Sequence, residues 1–203
     1  MKIALLVEGE TERVFLPSLR AFLSRHLAGK MPKLIVHRYD GRIPKEDKLR
    51  RVVRDLLTKR PEPADAVVAL TDVYTGSSDF KNAADAKAQM REWVGDDKRF
   101  HPHVALHDFE AWLLPYWSTI QKLAKHNMGA PAGPPEQVNH DRPPARRLKE
   151  IFERGKCRDS YVKPRDALRI LKDNDLAISV NACPELKAFV NTILTLSGGA
   201  ELP

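Results

Sequence analysis

Leu5-Leu6-Val7-Glu8-Gly9-Glu10-Thr11-Glu12 joins an apolar run to a helical pattern, with acids at the join. Ile3 to Val7 reads as a buried strand, and Gly9 breaks it. From Thr11 to His26, Phe15, Leu19, Phe22 and Leu23 fall on one stripe of a helix. Pro17 lies inside that pattern and predicts a kink or an irregular start. Glu8 then occupies the C-terminal tip of a strand and Glu12 the first turn of the next helix. In open α/β sheets that edge is where ligands bind. Carboxylates pressed together there repel each other unless a cation neutralises them. The helix dipole alone accounts for Glu10 and Glu12. It accounts poorly for Glu8, which precedes the helix.

Two further segments repeat the pattern. Ala66-Val67-Val68-Ala69-Leu70-Thr71 runs into Asp72, with Tyr74, Gly76 and Asp79 beyond. His103-Val104-Ala105-Leu106 runs into His107-Asp108-Phe109-Glu110, ahead of a short apolar helix over Ala111-Trp112-Leu113-Leu114 whose large side chains belong to the core. In a parallel sheet all strand C-termini share one edge, so these acids are expected to converge there. Carboxylate oxygens without a compensating run of cysteine or histidine suit a hard divalent ion, Mg²⁺ or Mn²⁺.

The rest of the chain fits an α/β sheet. Strands are predicted near residues 2–7, 33–39, 65–71 and 102–107, and helices near 10–26, 46–59 and 81–94. This β-α repetition implies right-handed crossovers and a parallel sheet with helices on both faces. After Trp117 the character changes. Residues 128–144 hold Gly129, Pro131, Gly133, Pro134, Pro135, Pro143 and Pro144, an irregular excursion. Helices are predicted over 144–154, 164–172 and 184–195, and Ser179-Val180-Asn181-Ala182 is ambiguous. The expected division is an α/β core over 1–117 and, over 118–203, a proline-rich connector and helical extension packed on that core.

Composition narrows the function. The chain has 203 residues, 42% of them hydrophobic, enough for an ordinary core. No apolar run approaches the roughly 20 residues of a membrane span. Met1-Lys2-Ile3 leads into a strand rather than a signal peptide. Cys157 and Cys183 are isolated thiols without metal-ligand spacing, so a reduced, cytoplasmic location is expected. The net charge of +7 suits a protein that touches phosphates. Basic residues cluster at Lys45 to Arg60 and at Arg142 to Arg158. In the first cluster Leu49, Val52, Val53 and Leu56 form a core-facing stripe and the charges line its solvated side. The second follows the proline-rich connector. There Arg146, Arg147 and Lys149 either grip phosphates or pair with Glu150 and Glu153 on the same helix. His107 either positions water or phosphate or hydrogen-bonds at a strand end. Gly9 stands alone, so there is no phosphate loop for ATP, and no Ser/His/Asp arrangement stands out.

The same residues resemble a known family. Glu8-Gly9-x-Thr11-Glu12 after the first strand, an acid after the third and Asp108-x-Glu110 after the fourth are similar to the Toprim domain in the version found in OLD-type nucleases. Those domains use such carboxylates to hold two metal ions for phosphodiester cleavage. Within that superfamily the chain most resembles domain-of-unknown-function family 4276. The matching segments are Val7 to Phe15, Asp72-Val73-Tyr74 with Asp79-Phe80, and His107 to Leu113, then Pro135 to Asn139, Arg146-Arg147-Leu148 and Ala182-Cys183-Pro184. A standard Toprim has Asp-x-Asp after the third strand, and here Tyr74 takes the second place, with Asp79 as the candidate substitute.

The resemblance implies one metal between Glu8 and Asp72 and a second held by Glu12 with Asp108 or Glu110. It implies catalytic roles for Glu8, Asp72 and Glu110. Lys163 corresponds to the lysine that OLD-type enzymes place near the scissile phosphate, or else is a solvent-exposed lysine. Tyr74, Asp79 and His107 are accessory candidates. The implied activity is a Mg²⁺- or Mn²⁺-dependent nuclease that acts on nucleic acid, DNA above all. It would work with a partner ATPase in prokaryotic defence against phage or plasmid DNA. The alternative is a Toprim-like fold that has lost catalysis and serves as a binding subunit of that ATPase, which Tyr74 favours.

Overall fold

Short apolar runs form the four strands of the sheet: β1 (Lys2–Val7), β2 (Lys33–Arg38), β3 (Ala66–Val73) and β4 (Phe100–Leu106). All pair in parallel, in the order β2-β1-β3-β4. The structure, a computed structural model, describes residues 1–39, 42–59, 62–74, 80–138, 142–157 and 159–203. Asp79 lies outside the described residues, as do Arg60, Gly76, Asn139 and Arg158.

Helices α1 (Glu10–His26), α2 (Glu46–Thr58) and α3 (Ala83–Val94) make the crossovers. The chain steps one way from β1 to β2 and the other way from β3 to β4. Right-handed crossovers therefore put α1 on one face and α2 and α3 on the other. Strand alternation fits both sides. Ile3, Leu5, Val7, Val68 and Leu70 share a core with Phe15, Leu19 and Leu23 of α1. Ala4, Leu6, Val67, Ala69 and Val73 share a second core with Leu49 and Val53 of α2 and Met90 of α3.

Helix α1 runs unbroken through Pro17. That proline is on the exposed side, where water can satisfy the carbonyl left without its donor. Strand β4 likewise contains Pro102, and it lies at the sheet edge, where the missing N–H is tolerated.

After β4 comes a 3-10 helix, Phe109–Tyr116, longer and tighter than the apolar helix predicted over Ala111–Leu114. Seven of its residues are buried. Helices α4 (Trp117–Ala124), α5 (Pro144–Arg154), α6 (Lys163–Lys172), α7 (Leu176–Ala182) and α8 (Pro184–Leu196) follow. They extend the α1-side core, so Leu148, Ile170 and Phe189 are continuous with Leu5 and Phe15. The ambiguous Ser179–Ala182 stretch ends α7, where the Ser179 hydroxyl donates to the Trp112 carbonyl. Among the described residues no helix is long and apolar enough to cross a membrane.

One buried acid fastens α8 to the 3-10 helix that follows the sheet. Glu136 is 4% exposed. Its Oε1 accepts from Trp112 Nε1 at 2.8 Å and from Leu186 N at 3.3 Å, and its Oε2 accepts from Glu185 N at 3.0 Å. The carboxylate thus satisfies two free N–H groups at the start of α8, an interaction that the helix dipole also favours.

Candidate metal centre

The winding reverses between β1 and β3, and in open α/β sheets the crevice outside the strand ends at that point takes ligands. Glu8 follows β1 directly. Its Oε1 accepts from the Thr71 hydroxyl of neighbouring β3 and from Ile43 N at 3.4 Å. Asp72 lies within β3 on the face that Leu70 shares with α1. Tyr74, two residues on, follows the same alternation. Glu12, in the first turn of α1, is 9% exposed, and its Oε2 accepts from Gly9 N at 3.1 Å. Glu10 points elsewhere: it is ion-paired with Arg13 and with Arg38, the latter at 2.6 Å.

His107 turns the chain out of β4. It takes φ +68°, a left-handed conformation uncommon for any residue with a Cβ, while its N–H still donates to Val73 O at 2.9 Å. Its buried ring stands 6.4 Å from that of Tyr74. The turn brings Asp108 and Glu110, both fully buried, back toward the sheet edge.

Asp108 Oδ2 accepts from Ala145 N, at the start of α5, at 3.1 Å and from the Tyr74 hydroxyl at 3.4 Å. Its Oδ1 is buried with no hydrogen-bond partner among the described residues. Glu110 Oε1 accepts from the Tyr161 hydroxyl at 3.2 Å, and Oε2 from Lys163 Nζ at 3.1 Å. The segment carrying Tyr161 and Lys163 is pinned by Asp166, which accepts from Val162 N at 2.9 Å and pairs with Arg165 and Arg169.

Burial and neighbouring charge act on these acids together. Burial raises the Asp72 pKa well above the usual carboxylate range, and Glu8, Asp108, Glu110 and Glu12 each push it further. Burial also raises Glu12, with Glu8 and Glu110 adding to it. Glu8 is raised by burial against the pull of its Thr71 and Ile43 hydrogen bonds. Asp108 is pushed up to about 7 by burial and then by Glu110. Burial works against the charged Lys163 amine, but the attraction of Glu110, Asp108 and Asp72 outweighs it and raises its pKa.

A carboxyl whose folded pKa exceeds its unfolded value stabilises the fold below the unfolded pKa of about 4 and loses that contribution as pH rises through the folded value. For Asp108 the loss extends to about pH 7. Without added metal, that contribution is therefore smaller at pH 8 than at pH 5. Asp108→Asn should melt a few degrees above wild type at pH 8, at about 2–4 °C per kcal/mol. Differential scanning fluorimetry of both proteins across this range checks it. Parallel pH profiles would contradict it.

The donor set is all oxygen, which fits a hard divalent cation in chemistry, and the buried Asp108 Oδ1 and the mutual repulsion fit it in charge. Among the described residues, no group of three or more His, Cys, Asp or Glu side chains is placed to hold an ion as it stands. Glu110 has both oxygens on Tyr161 and Lys163, and Glu8 is turned to Thr71 and Ile43.

Beside the acids, an open groove of about 740 Å³ is lined by Arg142, Arg146, Lys149 and Lys163, by Tyr74 and Tyr161, and also by Glu150 and Glu153. Arg147 does not line it. Lys149 lies 3.7 Å from Glu153, and Arg154 takes Glu150 at 2.6 Å. Thr71, Tyr161 and the Ala145 N–H are parts of the site that sequence reasoning missed. Tyr161 and Glu110 are 51 residues apart, with no local pattern linking them.

Comparison with known proteins agrees with this architecture. The C-terminal region of the Burkholderia pseudomallei OLD protein superposes with a TM-score of 0.51 at 18% identity, over 94% of this chain and 98% of that one. The C-terminal region of the Xanthomonas campestris pv. campestris OLD protein gives a TM-score of 0.47 at 16% identity, over 97% and 96%. At 18% identity the first likeness is one of fold. No curated protein gives a significant match. The family described as Domain of unknown function (DUF4276) matches residues 7–194, and the chain belongs to that family.

Proposed function

We propose that the chain is a divalent-metal-dependent phosphodiester hydrolase. Its substrate would be nucleic acid, DNA above all. The observation that carries the reading is the buried Asp72 carboxyl at the winding reversal, on which Glu8, Glu12, Asp108 and Glu110 all act, beside a groove lined by Arg142, Arg146, Lys149 and Lys163. Glu8, Glu12, Asp72, Asp108 and Glu110 would hold Mg²⁺ or Mn²⁺. A bound ion supplies stabilisation of the negative charge that builds on a phosphoryl oxygen.

The chain's own residues do the rest. Arg142, Arg146 and Lys149 bind phosphates along the groove. Lys163 offers its ammonium to the phosphate nearest the acids. Tyr161 orients Glu110, and the Ala145 N–H ties α5 to Asp108, so groove and acids keep a fixed relation. A partner ATPase, a cytoplasmic location and a role in defence against phage or plasmid DNA follow from the resemblance to OLD-type nucleases.

A second reading has its own support. Tyr74 stands where an acid is expected, and Glu110 is already paired with Lys163. Both favour a binding subunit without catalysis.

The test is a cleavage assay on supercoiled and linear DNA with Mg²⁺ or Mn²⁺, with and without a partner ATPase. Metal-dependent cutting supports the hydrolase. Binding without cutting under every condition supports the second reading. In the same assay series, Arg142, Arg146 and Lys149 changed together to alanine should weaken DNA binding at all sequences alike. The logarithmic salt slope should flatten by about one unit per lost phosphate contact. An unchanged slope would take these residues out of phosphate binding.

A further inference from the structure

We infer that Lys163 is an exchangeable counter-ion, whose ammonium neutralises Glu110 when no divalent ion is bound and is released into the basic groove when one binds. Loading of the acids and binding of a polyanion then reinforce each other. This inference rests on the metal-centre reading above.

The contact spans two environments. Glu110 is fully buried, whereas the Lys163 side chain is 49% exposed and lines the groove. Lys163 Nζ lies 3.1 Å from Glu110 Oε2, so an ion taken up by that oxygen would meet the ammonium directly. The other Glu110 oxygen is held by Tyr161, which can keep the carboxylate in place while its partner changes.

The backbone below Lys163 is fixed by the Asp166 bond to Val162 N. Motion is therefore confined to a flexible four-carbon stem that ends in a point charge. A divalent ion at the acids repels that charge, and the phosphates of a polyanion in the groove attract it. Each ligand then favours the same position of Lys163, and linkage requires that each raise the affinity for the other by one common factor.

Lys163 is well suited to such a test because it starts α6 and is half exposed, so its replacement leaves the core intact. The probe is Mn²⁺ alone, titrated calorimetrically without nucleic acid into wild type, Lys163→Met and Lys163→Gln. Both variants should bind Mn²⁺ about tenfold more tightly, at the low end of typical coupling between sites. Binding of a short fluorescein-labelled DNA duplex is then followed with salt, with and without Ca²⁺. On adding Ca²⁺, the salt slope should steepen by about one unit more in wild type than in either variant, because one lysine is freed for phosphate.

A lysine that only braces the fold would leave Mn²⁺ affinity unchanged or weaken it. Equal or weaker Mn²⁺ binding in both variants, or equal slope changes, would overturn this inference alone. No Mn²⁺ binding by the wild-type chain would overturn it together with the metal-centre reading.

Discussion

Asp72→Asn is expected to lower metal-dependent DNA cleavage by more than the ~10–100-fold that changes around a metal's ligands usually cost, because the proposed ligand itself loses its charge. Asp72 is the carboxylate that feels all four others, and it is fixed within β3 by pairing with Ala105 of β4. Asparagine keeps the shape and loses the charge. The fold should survive, and the metal-free protein should melt no lower than wild type, since a carboxylate opposed by four neighbours is gone. A gel assay of cleavage beside a thermal melt reads both effects. Unchanged cleavage by a folded variant would remove Asp72 from the mechanism.

Glu136→Ala is expected to carry the largest stability loss, about 3 kcal/mol. Leaving the buried Trp112 indole N–H without an acceptor costs about 1–3 kcal/mol, and loss of the cap on α8 about 1 kcal/mol more. At about 2–4 °C per kcal/mol, the melting temperature should fall by about 6–12 °C. Glu136→Gln keeps one acceptor oxygen and should lose much less. Urea unfolding of the three proteins separates these cases, and a loss below about 0.5 kcal/mol for alanine, the scale of an ordinary surface change, would mean that water replaces the carboxylate.

Much of the fold was legible because its signals are local. The predicted bounds of β1 and α1 coincide with Lys2–Val7 and Glu10–His26, where a clean apolar run meets a clean helical stripe. Other bounds moved for physical reasons. Helix α3 starts at Ala83 rather than 81 because the Asn82 side chain caps it, accepting from Asp85 N at 2.9 Å. Strand β3 continues to Val73, so Asp72 is a strand residue with a fixed direction rather than the first residue of a loop.

The placement of the acids was legible because a parallel sheet gathers strand ends at one edge. Of their partners only Lys163 was named, and from the resemblance rather than from any spacing. Tyr161, Lys163 and the start of α5 reach the acids through the packing of the extension, which no periodicity encodes. The groove also depends on helix phase. Arg146 and Lys149, three residues apart on α5, face it together, while Arg147 points off it.

Calorimetric titration of Mn²⁺ into the chain, without nucleic acid, tests most directly whether the converging carboxylates form a metal centre. Saturable binding to wild type is expected, weakened in Asp72→Asn and Glu12→Gln by more than the ~10–100-fold that changes around a metal's ligands usually cost. No saturable binding to wild type, or equal affinity in all three proteins, would contradict it.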